Sequence, residues 1–222
     1  MSSDMIQLLV LAGIAVFLIL RLKSVLGTRE GFEKPPLPMP GKSDAASRAR
    51  DNFEVIEGGP DRDITDHVDE NSDAAAALAA MKSVEPSFGV SDFLSGARGA
   101  YEMILMAFET GNIEEIEAYL SGDVYETFKE VIDKREEAGL IVEAEFVGTR
   151  EVTLLDATFE KSNREAELKV RLVGELTSVV RDSAGDIIEG NPNEIKKQKD
   201  IWTFARFMGS DDPNWQLVAT GE

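Results

Sequence analysis

Few residues in this 222-residue chain are equipped for chemistry. It has no cysteine and one histidine, His67, set in an acidic stretch of low hydrophobicity. Without thiols there is no thiolate nucleophile, disulfide or thiolate metal site, and one imidazole excludes a multi-histidine centre. A stretch like that around His67 is a poor place to preorganise a catalytic triad. We therefore expect no metal and no cofactor. Tyr101, Tyr119, Tyr125, Asp156 and Asp200 remain as candidates for acid–base work, with a carboxylate base opposite a phenol donor. Tyr101 falls on the apolar stripe of a helix, where a tyrosine with one hydrogen bond is ordinary core material. The balance points to binding rather than to an enzyme. Lys196, Lys197 and Lys199 cluster ahead of Trp202, Phe204 and Phe207. They suit a lipid headgroup or an acidic partner, or a solvated strand edge that blocks unwanted pairing.

Charge narrows the partners. The chain has 42 acidic and 23 basic residues, a net charge of −19, and no basic stripe, so nucleic acid is excluded as a partner. The same acidity repels anionic lipid, so any membrane attachment must come from apolar residues. Met5 to Leu20 supplies them as MIQLLVLAGIAVFLIL, with Arg21 and Lys23 following. A bilayer core of about 30 Å asks for roughly 20 apolar residues, and snorkelling by Arg21 and Lys23 lengthens the run to Leu22 and beyond. Asp4 precedes the run and the basic residues follow it, the reverse of a cleaved signal peptide. Residues 1–30 are thus expected to anchor the chain in membrane lipid as one transmembrane helix, through Ile6, Leu9, Ile14, Phe17, Leu20, Arg21 and Lys23. The positive-inside rule then puts the rest of the chain in the cytoplasm.

Residues 31–72 join a proline run, Pro35 to Pro40, to an acidic tract from Asp51 to Glu70. Such a segment buries too little apolar area to offset its ordering entropy, and we expect a flexible linker whose polyproline II run is a spacer or, alternatively, a docking peptide for an aromatic groove. An alanine-rich accessory helix is expected over 73–84, and a folded domain over 85–222. Phe93, Leu94, Ala97, Tyr101, Ile104, Leu105 and Phe108 lie on one helical stripe between a Ser91 N-cap and a Gly111 stop. Asn112 with Glu115 resembles a capping box, Ser121 caps the next helix, and Gly139 closes it. The period then falls to two. Strands are expected over 140–156, Ala166 to Leu176, Ile201 to Phe207 and Trp215 to Ala219. Helices followed by a strand meander imply an α+β domain with helices on one face of an antiparallel sheet.

The block FLSGARGAYEMILMAFETGNIEEIEAYLSGDVYETFKEVIDKREEAGL, followed by long strands and a tryptophan-containing finish, resembles a Tim44-like domain over about residues 85–220. The resemblance implies an NTF2-like cone, with helices packed on a curved antiparallel sheet and a large apolar pocket between them. It also implies a bacterial inner-membrane relative of the mitochondrial import-motor adaptor, with no catalytic residue to carry over. Two departures stand out: the long charged region that recruits the Hsp70 motor is missing, and a hydrophobic anchor replaces the presequence. In such a pocket Tyr101, Ile104, Leu105 and Phe108 would face Leu168, Leu172, Trp202 and Phe204. The expected function is a membrane-tethered adaptor that holds a polypeptide or partner protein. The alternatives are a binder of lipid or a small apolar ligand in the pocket, and an NTF2-like hydro-lyase or isomerase.

Overall fold

The computed structural model describes residues 60–221. The helices come first: α1 (Arg62–Thr65), α2 (Asp73–Val84), α3 (Val90–Thr110), a 3₁₀ segment (Ile113–Tyr119) and α4 (Gly122–Glu137). Their ends follow from local chemistry. The Ser72 and Ser121 hydroxyls accept hydrogen bonds from the Ala75 and Val124 amides and start α2 and α4. Gly111 ends α3 in the left-handed region at φ 83°, a conformation costly for any residue with a Cβ.

Two capping expectations are corrected. Asn112 makes no side-chain cap, and Ile113–Tyr119 is 3₁₀ rather than α-helical. The Asn112 side-chain amide turns back to the Thr110 hydroxyl at 3.3 Å. Ser91 lies inside α3, whose N-cap is Gly89, a residue with no side chain to offer. The cap comes from 27 residues upstream, where the Asp63 carboxylate accepts from the Val90 and Ser91 amides at 2.7 and 2.9 Å.

The end of the expected linker is therefore folded. Asp61 caps α1, Ile64 is buried, and Lys82 reaches Asp61 and Asp63 at 2.7 and 2.8 Å. An acidic segment with one buried isoleucine gains little from apolar burial, but its carboxylates find amide and ammonium donors on α2 and α3. The accessory helix is integral to the domain too, with Leu78 and Met81 fully buried in the common core. Residues 31–59 of the expected linker, and the anchor residues Ile6, Leu9, Ile14, Phe17, Leu20, Arg21 and Lys23, lie outside the described residues. Among the described residues no helix is long and apolar enough to cross a membrane.

The strands are β1 (Ile141–Glu160), β2 (Glu165–Arg181), β3 (Ile187–Gly190), β4 (Lys196–Phe207) and β5 (Gln216–Gly221). All pair antiparallel in the order β1-β2-β4-β5, with β3 against the last residues of β2. Alternation decides the faces. Ala166, Leu168, Val170, Leu172 and Leu176 of β2 join the helical residues in one core, while Glu167, Lys169 and Arg171 are exposed. The α+β architecture with helices on one sheet face is as the period change implied. Register shifts at Val147, Arg150 and Leu155 interrupt β1, and such bulges bend a strand. Strand β3 is not among the expected strands, because its four residues include no buried position and so show no alternation.

Candidate functional site

Helix α3 runs along the sheet from the end capped by Asp63 to the end where the β2–β3 hairpin turns, and it carries four of the eight expected pocket residues. Tyr101, Ile104, Leu105, Leu168, Leu172, Trp202 and Phe204 are all buried. Strand register puts Leu168 beside Phe204, Val170 beside Trp202 and Leu172 beside Asp200, all on the helix-facing side. The Tyr101 ring meets Trp202 edge-on at 4.9 Å. Phe204 is met by Phe93, two turns earlier on α3, at 5.9 Å. Phe108 departs from the expected set. It is half-buried, packs on Phe128 of α4 at 4.6 Å, and has the Arg135 guanidinium over its ring at 4.4 Å. Seven of the eight expected pocket residues thus serve as packed core.

The acid–base candidates separate. Tyr119 and Tyr125 lie half-buried on the 3₁₀ segment and α4. Asp156 is exposed, with its carboxylate accepting from the Ala157 amide. Tyr101 and Asp200 do come together, the phenol donating to the carboxylate at 2.6 Å. Burial, and then the Asp200 carboxylate, push the Tyr101 phenol far up, so it stays a neutral donor. The Tyr101 ring is enclosed, while Asp200 is half-buried. Trp202 and Phe146 stand edge-on to the ring, and a Cβ on Gly174 would lie 2.7 Å from it. Gly174 is therefore where strand backbone makes room for the tyrosine.

At the hairpin end the charges are differently placed. Glu109, in the last turn of α3, is half-buried near Arg135, Lys196 and Glu189, with the Ser178 hydroxyl at 3.5 Å. Burial raises its carboxyl above the ordinary range, only partly countered by Arg135. Burial likewise lowers the Arg135 guanidinium, which Glu109 partly restores, while its N–H donates to the Phe108 carbonyl at 3.2 Å. Of the three clustered lysines, Lys196 faces this group, and Lys197 and Lys199 are exposed opposite Glu175 and Val173. Sequence reading missed Glu109 and Arg135, because each stands beside the apolar stripe of an amphipathic helix and reads as a solvated flank.

The surface around that end is apolar. Ile141, Val147, Ile187, Ile188 and Ile195, half of the ten exposed large hydrophobic residues among those described, belong to the start of β1, the β2–β3 hairpin and the approach to β4. Register ties Ile141 and Ile187 to opposite sides of Arg181. Two open recesses lie elsewhere, one beside His67, Asp73 and Asp156, the other along Thr158, Glu160 and Glu167. Neither is lined by any expected pocket residue. His67 is bonded to the Ser91 hydroxyl at 3.1 Å, and no group of acids and histidine fit to hold a metal occurs among the described residues.

A family model, the Tim44-like domain, matches residues 74–222. The match begins eleven residues earlier than the resemblance at 85 and so takes in α2, in keeping with the burial of Leu78 and Met81. Among solved structures, the intermembrane space region of the chloroplast protein ARC6 is similar at 12% identity and a TM-score of 0.38, over 59% of this chain and 92% of that one. No curated protein matches the chain.

Proposed function

Because this chain belongs to the Tim44-like domain family, we propose that it is a non-enzymatic docking protein that holds a polypeptide or partner protein at the surface of a bacterial inner membrane. Residues 1–30 anchor it and the folded domain stands on the cytoplasmic side. The apolar run ahead of Arg21 and Lys23 supports this arrangement. One observation carries the docking reading. The residues that would line an interior pocket are packed against one another, with Tyr101, Ile104, Leu168 and Leu172 at 0% exposure, so binding falls to the exterior.

The hairpin end is the part of the exterior that best suits a partner. It gathers exposed aliphatic residues, and it holds Glu109 and Arg135 where burial disfavours their charged forms, a combination frequent at binding sites. The full burial of Tyr101, whose phenol is taken up by Asp200, weighs against the hydro-lyase reading, and the filled interior weighs against a lipid or small apolar ligand within it. Photo-crosslinking in intact membranes tests the reading, with the probe placed at Ile187 or at Phe207, which is exposed at the opposite end of the sheet. Polypeptide adducts are expected from position 187. Adducts from 207 alone would overturn the assignment of the surface.

A further inference from the structure

Among the described residues the first part of β1 is an unpaired sheet edge. From Ile141 to Phe146 it pairs with β2 in six consecutive positions, Ile141 with Arg181 through Phe146 with Leu176, and among the described residues no strand pairs with its other side. Beyond Phe146 the same edge is blunted. Bulges fall at Val147, Arg150 and Leu155, and the Arg98 guanidinium donates to the Thr149 carbonyl at 3.0 Å. Bulges, covering side chains and charges protect strand edges, and, among the described residues, 141–146 have only the last, as glutamates that repel an anionic strand and not a basic one.

What this stretch has is alternation and charge. Ile141, Glu143 and Glu145 are exposed, while Val142, Ala144 and Phe146 are half-buried toward the helices. The chain enters it from α4, whose last turn bears exposed Glu136 and Glu137. Arg181 is paired with Glu143 at 2.9 Å, and Glu145 has no side-chain ion pair among the described residues. An antiparallel copy of the same strand would set glutamates near glutamates on a chain already at −19, which disfavours self-association. A strand bearing lysine or arginine on the matching face would meet complementary charge.

Resting on the docking reading above, we propose that the Ile141–Phe146 edge accepts an extended basic segment of a partner polypeptide as an added β-strand, with its cationic side chains opposite Glu143 and Glu145. Main-chain hydrogen bonds to the free edge supply affinity, and the two glutamates supply selection.

The test uses the full chain in nanodiscs and two synthetic peptides of equal charge, one of alternating lysine and valine over seven residues, the other with its central valine replaced by proline. The alternating peptide is expected to slow amide exchange at alternate residues within 141–146. The proline peptide, unable to complete the ladder, is expected to bind at least tenfold more weakly. Glu143→Gln with Glu145→Gln should weaken the alternating peptide about three- to tenfold, the weight of two exposed ion pairs. Equal binding of the two peptides, or protection confined to residues outside β1, would overturn strand addition. Adducts at Ile187 without protection of 141–146 would leave the docking surface standing and remove only the strand mechanism.

Discussion

The two ends of helix α3 treat buried charge in opposite ways. At its start, burial opposes ionisation of Asp63, but Lys82 and the Ser91 and Val90 amides outweigh it and hold the carboxyl well below the usual range. Glu85 close by is held low by Arg206, against its own burial and with help from the Gly209 amide. At its finish, Glu109 is raised and Arg135 lowered, each chiefly by burial. The start is arranged for stability, with each carboxylate matched to donors. The finish leaves stability unused beside an exposed aliphatic surface, as surfaces that meet partners commonly do.

The largest effect is expected from removing the tertiary cap. Asp63→Ala should cost about 2–3 kcal/mol, since two amides and Lys82 lose a charged acceptor. A urea midpoint measured at neutral pH reads it directly. The sign with pH is fixed by the depressed native value of Asp63. The unfolded chain takes up this proton first, so the contribution is present above about pH 4 and is lost as pH falls further toward the native value. Asp63→Asn should flatten that acid limb, and an unchanged limb would contradict the assignment.

Next comes the close approach at Gly174. Gly174→Ala puts a methyl group 2.7 Å from the Tyr101 ring and should cost about 1–3 kcal/mol. Tyr101→Phe, which removes the hydrogen bond to Asp200, should cost about 1.5–3 kcal/mol. Pairing the two changes tests the contact of the hydroxyl, 2.9 Å from the added methyl group, because summed costs without coupling would mean that the hydroxyl is not pressed on the strand. The smallest effect has the opposite sign. Glu109→Gln should stabilise by about 0.5 kcal/mol at neutral pH. A raised carboxyl contributes fully when protonated and loses that contribution as pH rises through its native value, so the gain should vanish in acid. Destabilisation at neutral pH would erase the contrast between the two ends.

How far these features were legible depends on whether the signal is local. Gly111 and Ser121 are punctuation within a few residues of the elements they bound, and the alternation from Ala166 to Leu176 assigned both faces of β2. Asp63 was illegible because its partners are 27 and 28 residues away, and a carboxylate in an acidic run looks like every other. The pocket illustrates a different limit. Residue type put Tyr101, Leu172 and Trp202 together, but whether facing apolar side chains leave a space or fill it depends on the separation of helix and sheet, which no pattern of residues states.

That separation is the centre of the account, and Trp202 reports on it. Replacing Trp215 by Phe leaves Trp202 as the single tryptophan of the full chain. In nanodiscs containing brominated phospholipid, and with a saturating bromine-labelled lysine–valine peptide, Trp202 emission should be unquenched, while a dye at Ile187 responds to the same peptide. Quenching of Trp202 that saturates with either ligand would mean that the interior opens to receive it, contradicting a filled core with its binding surface outside.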